Sequence, residues 1–231
     1  MQDDPFMPRE YYSRRAQEFL AAESAASAGI GQVCSDLAGY DDESEESWSR
    51  TLEALKGKAA LDLGSGTGRW TERLLEVCPS AIGVENAPEM LAAAHRRNQS
   101  NLHFLEGDLR NPAALVLPQE FKPEAAMARY IFSHLPRAEI SAWLEALAKL
   151  LGPNAPLVLV DNRIEERNRL VAAIEGSDDT YCERRLDDGS IWKIRKNYFE
   201  AEAVAAYLTP HCRRVEAWQG KWIYCVIGWF A

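Results

Sequence analysis

The sequence lacks an apolar run long enough to cross a membrane, the longest being residues 222–231. It also lacks an excess of positive charge, because 26 lysines and arginines stand against 35 aspartates and glutamates, for a net charge of −9. A protein with this charge balance repels the phosphates of nucleic acids. We therefore expect neither a membrane nor a nucleic acid as a partner.

Cysteines are few and scattered along the chain. Their number is odd and none of them forms a C-x-x-C pair; they are Cys34, Cys78, Cys182, Cys212 and Cys225. This pattern argues against a disulfide framework and a zinc site, and it favours buried free thiols in a reducing compartment. The N-terminus also lacks the basic region and apolar run of a signal peptide. We expect a cytoplasmic protein that binds no metal.

The remaining composition is typical of one globular domain. With 231 residues, of which 47% are hydrophobic and 26% charged, the chain is long enough for a single α/β domain and too short for two full ones. Within this single domain we distinguish residues 1–47 from a main region, residues 48–231. The main region contains an insert at residues 163–197.

A glycine-rich loop organises the main region. Residues 59–63 form a short apolar run with one acid, and Gly64, Gly66 and Gly68 follow at every second position. A helical pattern comes next, so the order of strand, glycine turn and helix predicts the first half of a nucleotide-binding βαβ unit. Arg69 stands where a dinucleotide-binding loop has its third glycine, and the loop contains no lysine to meet a phosphate.

The loop resembles the first motif of class I S-adenosylmethionine-dependent methyltransferases, acid-x-G-x-G-x-G, with Asp62 as the acid. The resemblance implies that the cofactor is S-adenosylmethionine and that the product is S-adenosylhomocysteine. It also implies which residues hold the methionine end of the cofactor: Asp62, Gly64, Ser65, Gly66 and Gly68. For a glycine pattern taken alone, a tight turn without any ligand is the alternative.

A second acid stands at the end of the next predicted strand. Residues 81–84 form a short apolar run that ends in Glu85, close to the spacing of about 20 residues expected of a βαβ unit. A carboxylate at this place suits the two hydroxyls of a ribose. Asn86 and Met90, at the start of the next helix, complete this group of predicted cofactor contacts. The alternative is that Glu85 is a surface glutamate in a loop.

The third predicted strand, residues 101–105, leads to Gly107, Asp108 and Leu109. This order resembles the family's next motif, in which an aspartate at the end of the strand accepts a hydrogen bond from the adenine amino group. The resemblance therefore implies that these three residues contact the adenine. The alternative is that Asp108 caps a turn that leads to Pro112.

Polar residues also follow the fourth and fifth predicted strands, residues 125–128 and 156–160. In open α/β sheets, ligands bind beyond the carboxyl ends of the strands. These positions therefore predict Arg129 as a cofactor contact and the following substrate contacts: Tyr130, Ser133, Asp161 and Arg163.

His134 is the candidate catalytic residue. It follows the fourth strand, and an imidazole with an ordinary pKa near ~6.5 is able to take a proton from a hydroxyl or an amine. The stretch Ser133–Pro136 also resembles a Ser-His-Leu/Val-Pro segment of bacterial small-molecule methyltransferases. The alternative is a structural histidine that caps the helix predicted for residues 137–151.

Two segments lie outside the core motifs. Residues 1–35 show helical periodicity, and in this class of methyltransferase such a segment often forms a lid over cofactor and substrate. The resemblance makes Tyr12 and Arg15 substrate candidates, and the alternative is a helix packed against the edge of the sheet. Residues 36–46 are acidic, and they are expected to form a solvated loop.

The insert is predicted to contain a charged helix with Ile164 and Ile174 on its apolar face, followed by a hairpin around residues 187–189. In related methyltransferases, insertions here shape the substrate pocket or a dimer surface. A homodimer is therefore among the expected partners, and the insert supplies secondary candidates: Tyr181, Arg184, Arg185 and Trp192. A solvated hairpin without such a role is the alternative.

The C-terminal part completes the predicted fold. A helix around residues 199–208 follows a capping-box pattern formed by Asn197 and Glu200. Residues 212–219 and 221–229 then read as a strand pair, like the pair that ends the methyltransferase sheet. We predict an α/β, doubly wound, Rossmann-like seven-stranded sheet with an antiparallel C-terminal strand, an N-terminal helical lid, and a helix and hairpin insert after strand five.

The predicted function is transfer of a methyl group to an oxygen or nitrogen of a small molecule by in-line displacement. The resemblance covers the chain from about residue 48 to its end and rests on several motifs in the expected order. Two alternatives stay open: a non-catalytic, regulatory protein that binds S-adenosylmethionine, and a nicotinamide-dependent oxidoreductase. The residue at position 69 and the antiparallel ending disfavour the oxidoreductase.

Overall fold

The structure, a computed structural model, describes residues 5–27, 38–97, 99–163 and 171–231. The helices are α1 (Arg9–Ser27), α2 (Tyr40–Leu55), α3 (Arg69–Leu74), α4 (Pro88–Ala94), α5 (Ile140–Leu151) and α6 (Ala201–Leu208). The strands of the main sheet are β1 (Ala60–Leu63), β2 (Ala81–Glu85), β3 (Leu102–Glu106), β4 (Ala125–Arg129), β5 (Pro156–Asn162), β9 (Cys212–Gln219) and β10 (Ile223–Phe230). The strands of a small second sheet are β6 (Val171–Ala173), β7 (Thr180–Arg185) and β8 (Ile191–Arg195).

The main sheet has the order β3-β2-β1-β4-β5-β10-β9. Strands β1 to β5 pair in parallel, whereas β10 runs antiparallel to both β5 and β9. Strands β1, β2, β4 and β5 are buried along their whole length, which explains why their sequences are continuous apolar runs. This topology confirms the predicted fold class, including the antiparallel C-terminal strand.

The sheet has a hydrophobic core on each face. Alternate residues along each strand point to opposite faces, so Leu61 and Leu63 pack with α5 and α6, whereas Ala60 packs with α2, α3 and α4. Asp62 therefore faces α2 and α3, and Asp161 shares the face of Leu159, towards α5 and α6. The polar residues at the carboxyl edge therefore lie on opposite faces of the sheet.

The prediction of an acidic loop at residues 36–46 is wrong from Tyr40 onward, because α2 begins there. Tertiary contacts explain the difference. The carboxylate of Glu43 accepts hydrogen bonds from the backbone N–H groups of Lys221, Trp222 and Ile223, at 2.7, 2.8 and 3.1 Å. An isolated acidic segment lacks these partners. The expected division after residue 47 falls inside this helix, and the division itself stays a prediction.

The insert differs from its prediction at the start and agrees at the hairpin. Residues 164–170 lie outside the described residues, and Val171–Ala173, expected in a helix, form strand β6 paired with β7. Strands β7 and β8 form the predicted antiparallel hairpin. The predicted capping box is also wrong, because Glu200 is the N-cap of α6 and makes no side-chain capping bond. The amide of Asn197 instead bonds Leu135 and Asp179 at 3.0 and 2.9 Å.

Two further expectations from composition have outcomes in the structure. Cys78, Cys182 and Cys225 are buried free thiols, and Cys212 is a half-buried one; Cys34 lies outside the described residues. None of the helices in the described part of the chain has the length and apolar content needed to cross a membrane.

Replacing Glu43 with alanine should lower the free energy of unfolding by about 1–3 kcal/mol, because three backbone N–H groups, two of them partly buried, lose their acceptor. Chemical denaturation measures the change. Glu53→Ala, an exposed position on the same helix, is the matched control and should change the free energy of unfolding little. Equal effects of the two substitutions would show that the contact with residues 221–223 does not hold α2 in place.

Candidate active site

The glycine loop turns sharply between β1 and α3 and leaves one face open. Gly64 and Gly66 have φ angles of +82° and +56°, which favour glycine. A Cβ atom at Gly64 would overlap the side chain of Ile131, whereas one at Gly66 would meet nothing within 4 Å. The hydroxyl of Ser65 is buried and has no hydrogen-bond partner among the described residues. An open face and an unsatisfied hydroxyl fit a polar ligand lying against the loop.

Glu85 lies against this loop. Its carboxylate accepts hydrogen bonds from the backbone N–H groups of Gly66, Asn86 and Ala87, at 2.9, 2.8 and 2.8 Å. Burial raises the pKa of Glu85, and the three backbone N–H groups oppose this shift. The residue is therefore a fixed, buried acceptor at the end of β2 and not the surface glutamate of the alternative.

Asp62 is buried on the opposite side of β1 from the neighbouring leucines. The hydroxyl of Thr71 in α3 donates to its carboxylate at 2.6 Å. Burial is the main cause that raises the pKa of Asp62 to about 7, and the negative charge of Glu85 adds to the rise. The Thr71 hydrogen bond and the positive charge of Arg129 oppose it. A buried carboxylate without a full positive partner fits an acid that meets the ammonium group of an amino acid.

The turn after β3 holds the predicted adenine contacts. Asp108 accepts a hydrogen bond from the backbone N–H of Arg110 at 3.0 Å, which is the turn cap of the alternative. Gly107 donates its N–H to the carbonyl of Glu85 at 3.1 Å, and the carbonyl of Leu109 accepts from the indole of Trp143 at 2.7 Å. These bonds hold the turn beside Glu85, and they leave the role of Asp108 towards adenine a prediction.

Arg129 does not reach the glycine loop. Its guanidinium donates to the hydroxyls of Ser47 and Ser44 at 3.0 and 2.9 Å and lies 4.1 Å from the ring centre of Trp70. It thus joins β4 to α2 and α3 on the face of the sheet where Asp62 points. Its role as a cofactor contact stays a prediction; its partners in the structure include α2, Trp70 and Tyr130.

His134 ends a short 3-10 turn, Phe132–His134, directly after β4. Its Nδ1 lies 2.6 Å from the carbonyl oxygen of Arg195. Because a carbonyl only accepts, Nδ1 carries the proton and Nε2 carries the lone pair. Burial and, next to it, the positive charge of Lys196 together lower the pKa of His134 to about 3. The imidazole is therefore neutral at pH 7.

Lys196 is a buried ammonium that the sequence analysis missed. It donates to the hydroxyl of Ser133 at 2.7 Å and to Asp161 at 2.8 Å. Asp161 also accepts from the backbone N–H groups of Ser133 and Asn162, at 3.0 and 2.8 Å. Burial opposes ionisation of Asp161, but Lys196 and His134 hold its pKa below the usual value. A lysine at the end of a hairpin strand is ordinarily solvated, so no sequence pattern pointed to it.

Among the predicted substrate residues, Tyr12, Ser133 and Asp161 gather around His134. The ring of Tyr12 meets that of His134 edge-on, with centroids 6.1 Å apart. The hydroxyl of Tyr12 is buried and has no partner in the described part of the chain. These residues come from α1, the turn after β4 and the end of β5, so only the folded chain brings them together.

The other substrate candidates lie elsewhere. Arg163 pairs with Glu200 at 2.7 Å and with the carbonyls of the β9–β10 turn. The hydroxyl of Tyr130 lies 3.2 Å from the guanidinium of Arg129, on the α2 side of the sheet. Tyr130 has a φ of +63°, an uncommon backbone conformation for a tyrosine. Arg15 bonds the hydroxyl of its neighbour Tyr11 at 3.1 Å.

The secondary candidates of the insert also differ in whether they lie near His134. The positive charge of Arg184 acts on both His134 and Tyr12, whereas Arg185 is exposed. Tyr181 packs on Phe6, with ring centroids 5.4 Å apart, and Trp192 packs on Tyr11 at 6.1 Å. The hairpin therefore contacts the segment around α1 rather than standing free in solvent.

Helix α1 covers the loop and is tied to it by a second missed group. Glu23 bonds the hydroxyl of Thr67 in the glycine loop and the guanidinium of Arg97, which lies at 2.5 Å. Arg97 also donates to the carbonyl of Thr67 at 2.7 Å. Nearer its start, α1 packs against Ala87 and Met90 through Ala16. The helix thus contacts both the glycine loop and α4.

Comparison with known proteins places this geometry in a family. Residues 60–154 match the family model of a methyltransferase domain. An uncharacterized methyltransferase of Geobacillus kaustophilus is 28% identical over 180 residues, which cover 75% of this chain and 80% of that protein. Another, of Geobacillus sp., is 26% identical over 157 residues, covering 65% of this chain and 71% of that protein.

A solved structure, the DhpI–SAM–HEP complex, has the same fold. It superposes with a TM-score of 0.71 at 19% identity and covers 98% of this chain and 99% of that chain. Together with the domain match and the relatives, this likeness confirms the predicted class. The chain is thus similar to class I S-adenosylmethionine-dependent methyltransferases in its domain match, its relatives and its fold.

Replacing Asp62 with asparagine should stabilise the fold at neutral pH. The folded-state pKa of about 7 lies above the unfolded value of 3.8, so the free energy of unfolding falls as pH rises between those values. Asparagine cannot ionise, so the variant should gain roughly 1–4 kcal/mol over the natural protein at pH 8 and almost none of this gain at pH 4. Chemical denaturation at both pH values measures it.

The control is Asp42→Asn, an exposed aspartate on α2, which should leave the pH dependence of the unfolding free energy unchanged. If Asp62→Asn shows no gain at pH 8 over pH 4, burial does not raise the pKa of Asp62.

Proposed function

We propose that this protein transfers the methyl group of S-adenosylmethionine to an oxygen or nitrogen of a small molecule. The observation that carries the proposal is a division of the carboxyl edge of the sheet. The glycine loop and Glu85 form one half, beyond β1 and β2, and the lone pair of His134 stands in the other half, beyond β4. A methyl donor and an acceptor fit these two halves.

Cofactor binding is assigned to residues on the first half. Asp62 and the glycine loop meet the amino-acid end, Glu85 accepts hydrogen bonds from the ribose hydroxyls, and Asp108 meets the adenine amino group. The open face at Gly66 and the unsatisfied hydroxyl of Ser65 support this assignment. When bound, S-adenosylmethionine supplies a methyl group on a positively charged sulfur, which an oxygen or nitrogen nucleophile takes up by displacement.

Helix α1 acts as a lid in this proposal. It crosses the glycine loop, and it brings Tyr12 against His134. A covering helix excludes water and orients two small molecules, and such positioning lowers a barrier by roughly 7–11 kcal/mol at best. The contacts from Glu23 to Thr67 and Arg97 join the lid to the loop that it covers.

His134 orients the acceptor in this site. Its Nδ1–H is committed to the carbonyl of Arg195, so the ring is held with the Nε2 lone pair available to a ligand. A neutral imidazole with a lowered pKa accepts a hydrogen bond well and takes a full proton poorly. The DhpI complex, which holds SAM and HEP together, supports a two-ligand site in this fold.

A homodimer stays part of the proposal, and light scattering tests it.

Glu85→Gln should weaken binding of S-adenosylhomocysteine by about 1–3 kcal/mol, because a neutral amide forms weaker hydrogen bonds with the ribose hydroxyls than a carboxylate does. Isothermal titration calorimetry measures the affinity. Glu89→Gln, an exposed glutamate on the next helix, is the control and should bind as the natural protein does. Unchanged affinity of the Glu85 variant would remove this residue from the cofactor site.

A failure of the natural protein to bind S-adenosylhomocysteine at all would overturn the proposed function. Binding without methyl transfer to any of a broad set of oxygen and nitrogen acceptors would favour the regulatory alternative.

A further inference from the structure

Lys196 has one more hydrogen-bond donor than the described residues use. Its ammonium group carries three N–H donors and its side chain is 3% exposed. Two donors are bound by oxygens of Ser133 and Asp161, at 2.7 and 2.8 Å. The ring of Tyr198 lies 5.7 Å away, at the limit of a cation–π contact. No further oxygen within the described ranges accepts from this ammonium.

Two phenol hydroxyls at the same edge of the sheet also lack partners. Those of Tyr12 and Tyr224 are buried and hydrogen-bond to nothing in the described residues. Tyr224 stands directly opposite Asp161 in the β10–β5 ladder, and Tyr12 meets His134. Burial raises the pKa of both phenols, so each keeps its proton and is able to donate. A buried donor without an acceptor costs about 1–3 kcal/mol, which a ligand that supplies oxygens would recover.

The carboxylates of Asp161 and Asp179, near Lys196, already have hydrogen-bond or ion-pair partners. Asp161 accepts bonds from Lys196 and from two backbone N–H groups, and Asp179 pairs with Arg195 at 3.2 Å. The positive charge of Arg184 lies close enough to Tyr12 and His134 to lower the pKa of each. A protonated amine entering here would meet positive charge, with the Nε2 lone pair of His134 as its acceptor. A negatively charged group would meet the unpartnered donors of Lys196, Tyr12 and Tyr224.

His134 points to the same class of acceptor by a separate argument. Alcohols and ammonium groups hold their protons above neutral pH, and an imidazole whose pKa is lowered to about 3 removes such a proton poorly. The oxygen of a small acid is already ionised at pH 7 and needs no base. An anionic methyl acceptor thus explains both the weak basicity of His134 and the unpartnered hydrogen-bond donors.

We propose that the methyl acceptor is a small acid, a carboxylate or a phosphonate or phosphate, whose ionised oxygens bind Lys196 and the hydroxyls of Tyr12 and Tyr224. This inference rests on the proposed function and narrows it to oxygen methylation. It assigns Lys196 as the residue that selects negatively charged acceptors.

The test is binding to the protein saturated with S-adenosylhomocysteine, at constant ionic strength. Propionate, methylphosphonate and propylamine are titrated separately, and amide chemical-shift changes in NMR spectra report the affinity. At least one anion should bind ten-fold or more tightly than propylamine, and the two anion titrations distinguish a carboxylate from a phosphonate acceptor. Equal affinity for all three probes would overturn the inference.

Lys196→Met should weaken binding of the preferred anion at least ten-fold, whereas Lys193→Met, at an exposed lysine on the preceding strand β8, should not. Because Lys196→Met removes the partner of a buried carboxylate, folding is checked first. Tyr12→Phe and Tyr224→Phe remove only a hydroxyl, and each should weaken anion binding several-fold. If both phenylalanine variants bind the anion as the natural protein does, the inference is wrong even where Lys196→Met fails to fold.

The two proposals fail in different ways. Absence of S-adenosylhomocysteine binding contradicts the proposed function. Normal S-adenosylhomocysteine binding together with absent or unselective anion binding contradicts only the assignment of an anionic acceptor.

Discussion

The docking of the end of β8 onto the turn after β4 is the contact on which the acceptor side of the site depends. Lys196 bonds Ser133 and Asp161, the carbonyl of Arg195 fixes the ring of His134, and the backbone N–H of Asn197 donates to the carbonyl of Ser133 at 2.8 Å. A buried ammonium is costly unless it is paired, so Lys196 depends on both of its partners. The contact joins the small sheet to the carboxyl edge of the large one.

The cofactor side is organised by backbone groups instead of by an ion pair. Glu85 is held by three backbone N–H groups, one of them from the glycine loop that it faces. Asp62 lies behind the loop with a raised pKa, in a position that is unfavourable for stability without a positive partner. Such a cost to the fold is typical of a ligand site, where charge is kept ready for a molecule that binds later.

The sequence predicted the positions of the glycine loop and of Glu85 at the strand ends because its signals there are local. The acid, the glycines and Glu85 each stand at the end of a strand, and the parallel order of β1, β2 and β3 then brings those ends to one edge. It did not predict the contacts around His134, because that cluster is assembled from distant segments. Nothing near Lys196 indicates that Asp161 is its partner, and nothing near Arg163 indicates that it pairs with Glu200. The prediction of a loop at residues 36–46 was wrong for the same reason, because contacts with residues 221–223 hold this segment as the start of α2.

The sequence alone therefore determined the order of strands and helices, the class of the domain and the residues of the glycine loop, since these follow from local pattern and short-range spacing. Only the tertiary structure decided which side chains face each other: that His134 is neutral and fixed by Arg195, that Lys196 is buried, and that Glu23 ties α1 to Thr67. The physical reason is that burial and pairing set the charge and direction of a side chain, and both come from residues far away along the chain.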